Sequence, residues 1–224
     1  MNLYIVVEGR NGARKVYKDW IRYVNNKLNN IDYLNDLKDN NYYIVAGWGQ
    51  PEIFDRIEAA VKDVNQIAEF DRLVVALDSE DIDEHNKFIE VRDFIDKIGC
   101  KKQVKIVIQH FCLETWLLGN EKVFRKTPTD ESLKRYYAKF DIRNLDPEIL
   151  PRFEDWNRSQ FAYEYLRAGM RDKRFERGTR ISYTKTNPGS VLQRGYFDQV
   201  VNRFKKKEQI NSFGNFLAAF SNSE

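Results

Sequence analysis

"LVVALDSED", residues 73–81, runs five apolar residues into four polar ones, three of them acidic. A short apolar run with no alternation reads as a strand buried on both faces, as in a parallel sheet. The carboxylates at its end need a separate reason. Like charges this close repel and raise each other's pKa. A divalent cation is the usual counterweight. The stretch therefore predicts a buried strand, and a place at its end where chemistry would sit.

Three more runs have the same character: "LYIVVE" (3–8), "NNYYIVAG" (40–47) and "VKIVIQHF" (104–111). Helical patterns alternate with them. Val16, Trp20, Ile21, Val24 and Leu28 keep helical spacing over 13–29. "PEIFDRIEAAVKDVNQIAEF" carries Pro51 at a first helical turn, and "DEHNKFIEVRDFIDKIG" ends on Gly99. "CLETWLLGN" follows the fourth strand as a short helix. The expectation is an α/β core over residues 1–120, a mostly parallel four-stranded sheet flanked by helices. Ligands of such sheets collect at the carboxyl ends of the strands. Glu8 and Asp78 both end strands, so both should reach the same edge.

The alternation stops after residue 120. Residues 121–185 read as a basic, partly helical insertion or cap, with Pro128, Pro147 and Pro151 as breakers. Residues 186–224 read as C-terminal helices packing on the core, one across "NPGSVLQRGYFDQVVNRFKKK" and one across "SFGNFLAAFSN". "NNKLNNIDYLNDLKDNN" reads as a helix end and loop.

Composition bounds the class. The 224 residues are 42% hydrophobic and 32% charged, as in a soluble globular protein. Cys100 and Cys112 make no disulfide framework, so reduced thiols and a cytoplasmic location are expected. The first residues lack a basic leader with an apolar core, and no run is long enough for a membrane helix. Residues 1–120 hold 16 Lys+Arg against 20 Asp+Glu, a net −4; residues 121–224 hold 21 against 14, a net +7. An acidic front and basic back suit a metal centre beside a polyanion, although ordinary surface scatter gives the same numbers.

Asp78, Glu80, Asp81 and Asp83 fall within six residues. Oxygen donors at this density favour Mg²⁺ or Mn²⁺ over zinc, and the two histidines have no cysteine at zinc spacing. Asp83 also suits the cap of the following helix. Glu8 is followed by Gly9, which permits a sharp turn. "RAGMRDKRFERGTRISYTK" (167–185) offers Arg171, Lys173, Arg174, Arg177 and Arg180 to phosphates, with Phe175 and Tyr183 for base stacking. A solvated helical face is the plain alternative.

"YIVVEGRNGARKVYKDWI" followed by "LVVALDSED" resembles the Toprim domain of primases, topoisomerases and a group of nucleases. "FCLETWLLGN" is similar to the "CFExWLL" segment of RloB-like Toprim proteins. These are relatives of the overcoming-lysogenization-defect nucleases, many linked to phage defence. The resemblance implies a divalent-metal-dependent endonuclease acting on DNA or RNA. Glu8, Asp78 and Glu80, with Asp81, would hold Mg²⁺ or Mn²⁺. Glu114 would stand beside the site, and Lys185 in "SYTKTNPGS" would stabilise charge on the scissile phosphate. Two departures stand out. The family's DxD is Asp78-Ser79-Glu80 here, and Asn11-Gly12 occupies a position often acidic. No ATPase motif is evident, which leaves room for a separate ATPase partner, as for a toxin-like effector acting on tRNA. Related nucleases assemble, so a homo-oligomer is open. An inactive metal-binding or interaction module is the reading from another class.

Overall fold

The computed structural model describes residues 1–9, 11–49, 51–177 and 182–221, the side chains of 174–177 excepted. Its strands are β1 (Leu3–Glu8), β2 (Asn29–Ile31), β3 (Asn41–Gly47), β4 (Arg72–Asp78) and β5 (Gln103–Gln109). They form one five-stranded, all-parallel sheet in the order β2-β3-β1-β4-β5. The expected four strands are thus corrected to five. The extra strand, β2, lies inside the Asn-rich stretch read as a helix end and loop. Only Ile31 among its three residues is apolar, so it carries no periodic signal; its backbone pairs with β3.

The helices are α1 (Asn11–Val24), α2 (Glu52–Gln66), α3 (Glu84–Ile98), α4 (Leu113–Leu117), α5 (Glu131–Lys139), α6 (Arg158–Arg177), α7 (Arg194–Lys207) and α8 (Ser212–Phe220). Alternation along the strands divides the burial between two faces. Tyr4, Val6, Leu73, Val75 and Leu77 meet α2 and α3. Leu3, Ile5, Val7, Val74 and Ala76 share a larger core with α1, α4, α6, α7 and α8. Each fully buried aliphatic side chain here is worth roughly 1.5–3 kcal/mol. Phe124, Tyr165, Val200 and Phe213 belong to that same larger core, so the segment after residue 120 closes over one face of the sheet.

The helix expected across 187–207 is broken. A 3₁₀ turn at Gly189–Leu192 precedes α7, because Trp20 Nε1 donates to the Val191 carbonyl at 2.9 Å and the Tyr23 hydroxyl to Leu192 at 2.7 Å. Those carbonyls are spent on α1 and do not accept from the next helical turn. Asp83 caps α3 by accepting from the amides of His85 and Asn86, and Gly99 closes it in the left-handed conformation. Among the described residues no helix is long and apolar enough to cross a membrane.

From β1 the chain moves out to β2 at the edge, returns to β3 beside β1, then crosses past β1 to β4 and on to β5. The direction of winding therefore reverses at β1, and a crevice opens between the carboxyl ends of β1 and β4. Glu8 and Asp78 are the residues that end those two strands.

Candidate active site at the carboxyl edge of the sheet

Strand parity sends the two carboxylates to opposite faces. Glu8 continues the row of Tyr4 and Val6, and Asp78 the row of Val74 and Ala76. They meet because both strands stop at the crevice. Glu8 Oε2 reaches across and accepts the Asp78 amide proton at 3.0 Å. Gly9, at φ +119°, turns the chain away at once, and its amide donates to the Gly47 carbonyl at 2.9 Å. A cleft of about 520 Å³ opens here, with Glu8, Asp78 and Glu80 on its acidic side, and with Trp48, Tyr163 and Lys185 also lining it.

Burial pushes the Asp78 carboxyl well above its ordinary range, and the charges of Glu8 and Glu114 push it further. The residue is partly open to the cleft, yet its Oδ1 is fully enclosed and has no hydrogen-bond partner. Burial raises Glu8 as well; the Asp78 amide opposes the shift and Glu80 adds to it. Two carboxyl groups so placed want a cation.

Glu80 is exposed and sits at φ +52°, a left-handed conformation that costs a non-glycine residue about 1–3 kcal/mol. The end of β5 holds it there. The Ser79 amide donates to Gln109 at 2.9 Å, the Glu80 amide donates to Phe111 at 2.8 Å, and Ser79 Oγ accepts from the Phe111 amide at 2.9 Å.

Lys185 arrives from far along the chain on a tight turn. The Thr184 amide donates to the Asn187 carbonyl at 3.0 Å, and the Asn187 amide returns to Thr184 Oγ1 at 2.9 Å. Its Nζ lies 5.5 Å from the centre of the Tyr163 ring. The Glu114 carboxylate raises the Lys185 pKa against the effect of burial, so the ammonium stays charged. Gly12 makes this approach feasible. A Cβ there would fall 2.1 Å from the Lys185 carbonyl oxygen.

Glu114 lies behind the cleft, buried in the first turn of α4, where it accepts the Tyr183 hydroxyl at 2.8 Å. Tyr183 is itself buried, so its ring is not offered for stacking. Burial, then the charge of Glu114, pushes the Cys112 thiol well up, which keeps it protonated and a poor nucleophile.

Other predicted residues stand apart from the cleft. Asp81 pairs with Arg152, and with Arg158 at 3.3 Å. Arg171 pairs with Asp130 at 2.6 Å. Lys173 is half-buried on α6. The side chains of Arg174, Phe175 and Arg177, and all of Arg180, lie outside the described residues. Trp48 and Tyr163 escaped the sequence reading. Trp48 directly follows a strand at the expected edge, which is a usable signal; Tyr163, on α6, had none.

Among the described residues no three His, Cys, Asp or Glu side chains form a ready metal-binding group. The residues present still fit one kind of ion. Mg²⁺ usually keeps several waters and takes one or two protein carboxylates together with substrate phosphates. Glu8 and Asp78 would supply that donor set, with Glu80 at the rim. The chain matches no protein-family model, no curated protein and no solved structure.

Proposed function

We propose that the protein is a divalent-metal-dependent nuclease, with Mg²⁺ or Mn²⁺ held by Glu8 and Asp78. The observation that carries this reading is the pair itself. Two carboxyls driven up chiefly by burial, and further by neighbouring carboxylates, meet at the crevice where the winding reverses, with a charged lysine on the same cleft. Such a pair is costly without a cation. The Toprim resemblance of the sequence points the same way, and with it a role in phage defence.

When bound, the metal would supply a Lewis acid and an activated water for phosphodiester hydrolysis. The chain's own groups do the rest. The Asp78 amide holds the Glu8 carboxylate at the end of β4, beside Asp78. Lys185 presents a permanent positive charge to a phosphate oxygen, and Tyr163 backs its ammonium. Glu114, buried and accepting the Tyr183 hydroxyl, keeps Lys185 charged without entering the cleft.

A second reading, a module that binds metal without turnover, draws on the left-handed Glu80 and on the lack of a third preformed ligand among the described residues. A cleavage panel separates the two. Plasmid, single-stranded DNA and total tRNA are incubated with Mg²⁺, Mn²⁺ or EDTA. Metal-dependent cutting that is lost in Glu8→Ala, Asp78→Ala supports the nuclease. Metal binding with no cutting of any substrate supports the module.

A further inference from the structure

Trp48 stands on the rim of the cleft, one residue beyond β3, and is 59% exposed. In the strand order β3 lies on the side of β1 away from β4. Tyr163 lines the cleft from α6, which packs on α4 within the core on one face of the sheet. Glu8 and Asp78 thus share one cleft with two aromatic rings of different kinds. Tyr163 is half-buried and has Arg167 at 5.2 Å and Lys185 at 5.5 Å over its ring. Trp48 keeps most of its surface open to water.

Leaving an indole exposed forgoes burial of roughly 150–250 Å² of aromatic surface. The other exposed large hydrophobics, such as Tyr33 and Ile149, do not line this cleft. The acidic floor adds a constraint. The bound cation and Lys185 are largely offset by three carboxylates, so charge alone gives this cleft limited affinity for nucleic acid. A contact that ignores charge must supply the remainder.

We propose that Trp48 stacks on an unpaired base of the substrate, so that the cleft takes single-stranded nucleic acid in preference to duplex. This rests on the reading of the cleft as a nucleic-acid site. The faces of bases inside a duplex are already covered by their neighbours, and an indole on the rim cannot reach them. An unpaired base has a free face, and stacking on an aromatic side chain contributes about 1–3 kcal/mol per base. With its base on Trp48, a nucleotide lays its phosphate toward Lys185 and the carboxylate pair.

The test is fluorescence anisotropy with the full chain and labelled oligonucleotides of about 10 nucleotides, within the footprint of single-strand binders. Their phosphorothioate backbone resists cleavage, and Mg²⁺ is present. The probes are a single strand, the same sequence as blunt duplex, and the same strand with abasic sites. Trp48→Ala should weaken single-strand binding about 5- to 150-fold, and Trp48→Phe less than about 3-fold. Duplex and abasic strands should bind at least about 5-fold more weakly than the intact strand and ignore Trp48→Ala. Equal binding by wild type and Trp48→Ala overturns the proposal, as does an abasic strand bound like the intact one, or no binding of any probe. Hydrolysis of a cleavable strand is read separately. Trp48-dependent binding without hydrolysis removes the nuclease reading and keeps this one; hydrolysis indifferent to Trp48 does the reverse.

Discussion

The Asp78 amide donates to Glu8 Oε2 at 3.0 Å, joining the ends of β1 and β4 across the crevice between them. One hydrogen bond thus fixes the Glu8 carboxylate against the backbone of the residue that carries the second carboxylate. It also ties the charge state of Glu8 to the backbone of Asp78.

The first prediction concerns pH. Both carboxyls titrate above their ordinary values, 3.8 for Asp78 and 4.5 for Glu8, chiefly through burial. A raised carboxyl pKa favours the folded state fully below the unfolded value, and that contribution is lost as pH rises through the folded value. In EDTA the wild type should therefore lose stability as pH rises from about 4 toward neutrality. Asp78→Asn should flatten this slope and be more stable at pH 7 by on the order of 1–3 kcal/mol. Thermal melts across pH, with and without Asp78→Asn, check it. A wild type whose stability climbs over this range contradicts the assignment.

Metal should reverse the penalty. Mg²⁺ at about 100 times its Kd should stabilise the wild type by about 2.7 kcal/mol. Asp78→Asn should gain much less. Melting temperature against Mg²⁺ concentration shows whether the two proteins diverge.

Gly12→Ala tests how Lys185 is placed. In most helices alanine in place of glycine stabilises by about 1 kcal/mol. Here the new Cβ meets the Lys185 carbonyl, so the turn must shift. Cleavage should fall about 10- to 100-fold, as expected when a positioned charge moves by an ångström. Circular dichroism should still report a folded protein. Full activity in Gly12→Ala would mean that the turn relaxes freely.

Arg203 makes a further test, of the core. It is almost fully enclosed, donating to the carbonyls of Ile142, Leu145 and Leu118 and to the Gln209 side chain. Lysine cannot reproduce this planar fork of donors. Arg203→Lys should cost about 1–3 kcal/mol, the scale of buried acceptors left without a donor. Chemical denaturation measures it, and a loss below about 1 kcal/mol would argue that the loop carbonyls find other donors.

Arg171 should matter little for nucleic acid. Its guanidinium is paired with Asp130, which caps α5. Arg171→Ala should leave oligonucleotide affinity within about 2-fold, whereas Lys185→Ala should reduce both affinity and its dependence on salt. Affinities at several salt concentrations distinguish the two.

Much of the sheet was legible because buried parallel strands leave continuous apolar runs, α1 keeps helical spacing, and Pro51 and Gly99 mark a helix start and a helix end. Asp83 and Gly99 were legible because capping is local. β2 was not, since three residues pairing through their backbone leave no pattern. The partners of Asp81 and Arg171 lie tens of positions away in sequence, so their ion pairs were invisible. The convergence of Glu8 and Asp78 followed from strand ends alone. The burial of Glu114 behind the cleft did not, because it depends on how α4 and the Tyr183 segment fold over the sheet.

The most direct test of the central claim is the rate of strand cleavage by wild type and Asp78→Asn in Mg²⁺ and in EDTA. The account predicts cleavage by the wild type in Mg²⁺ only, and a loss of at least about 100-fold in Asp78→Asn despite its greater stability in EDTA. Equal rates in the two proteins, or cleavage undiminished by EDTA, would contradict it.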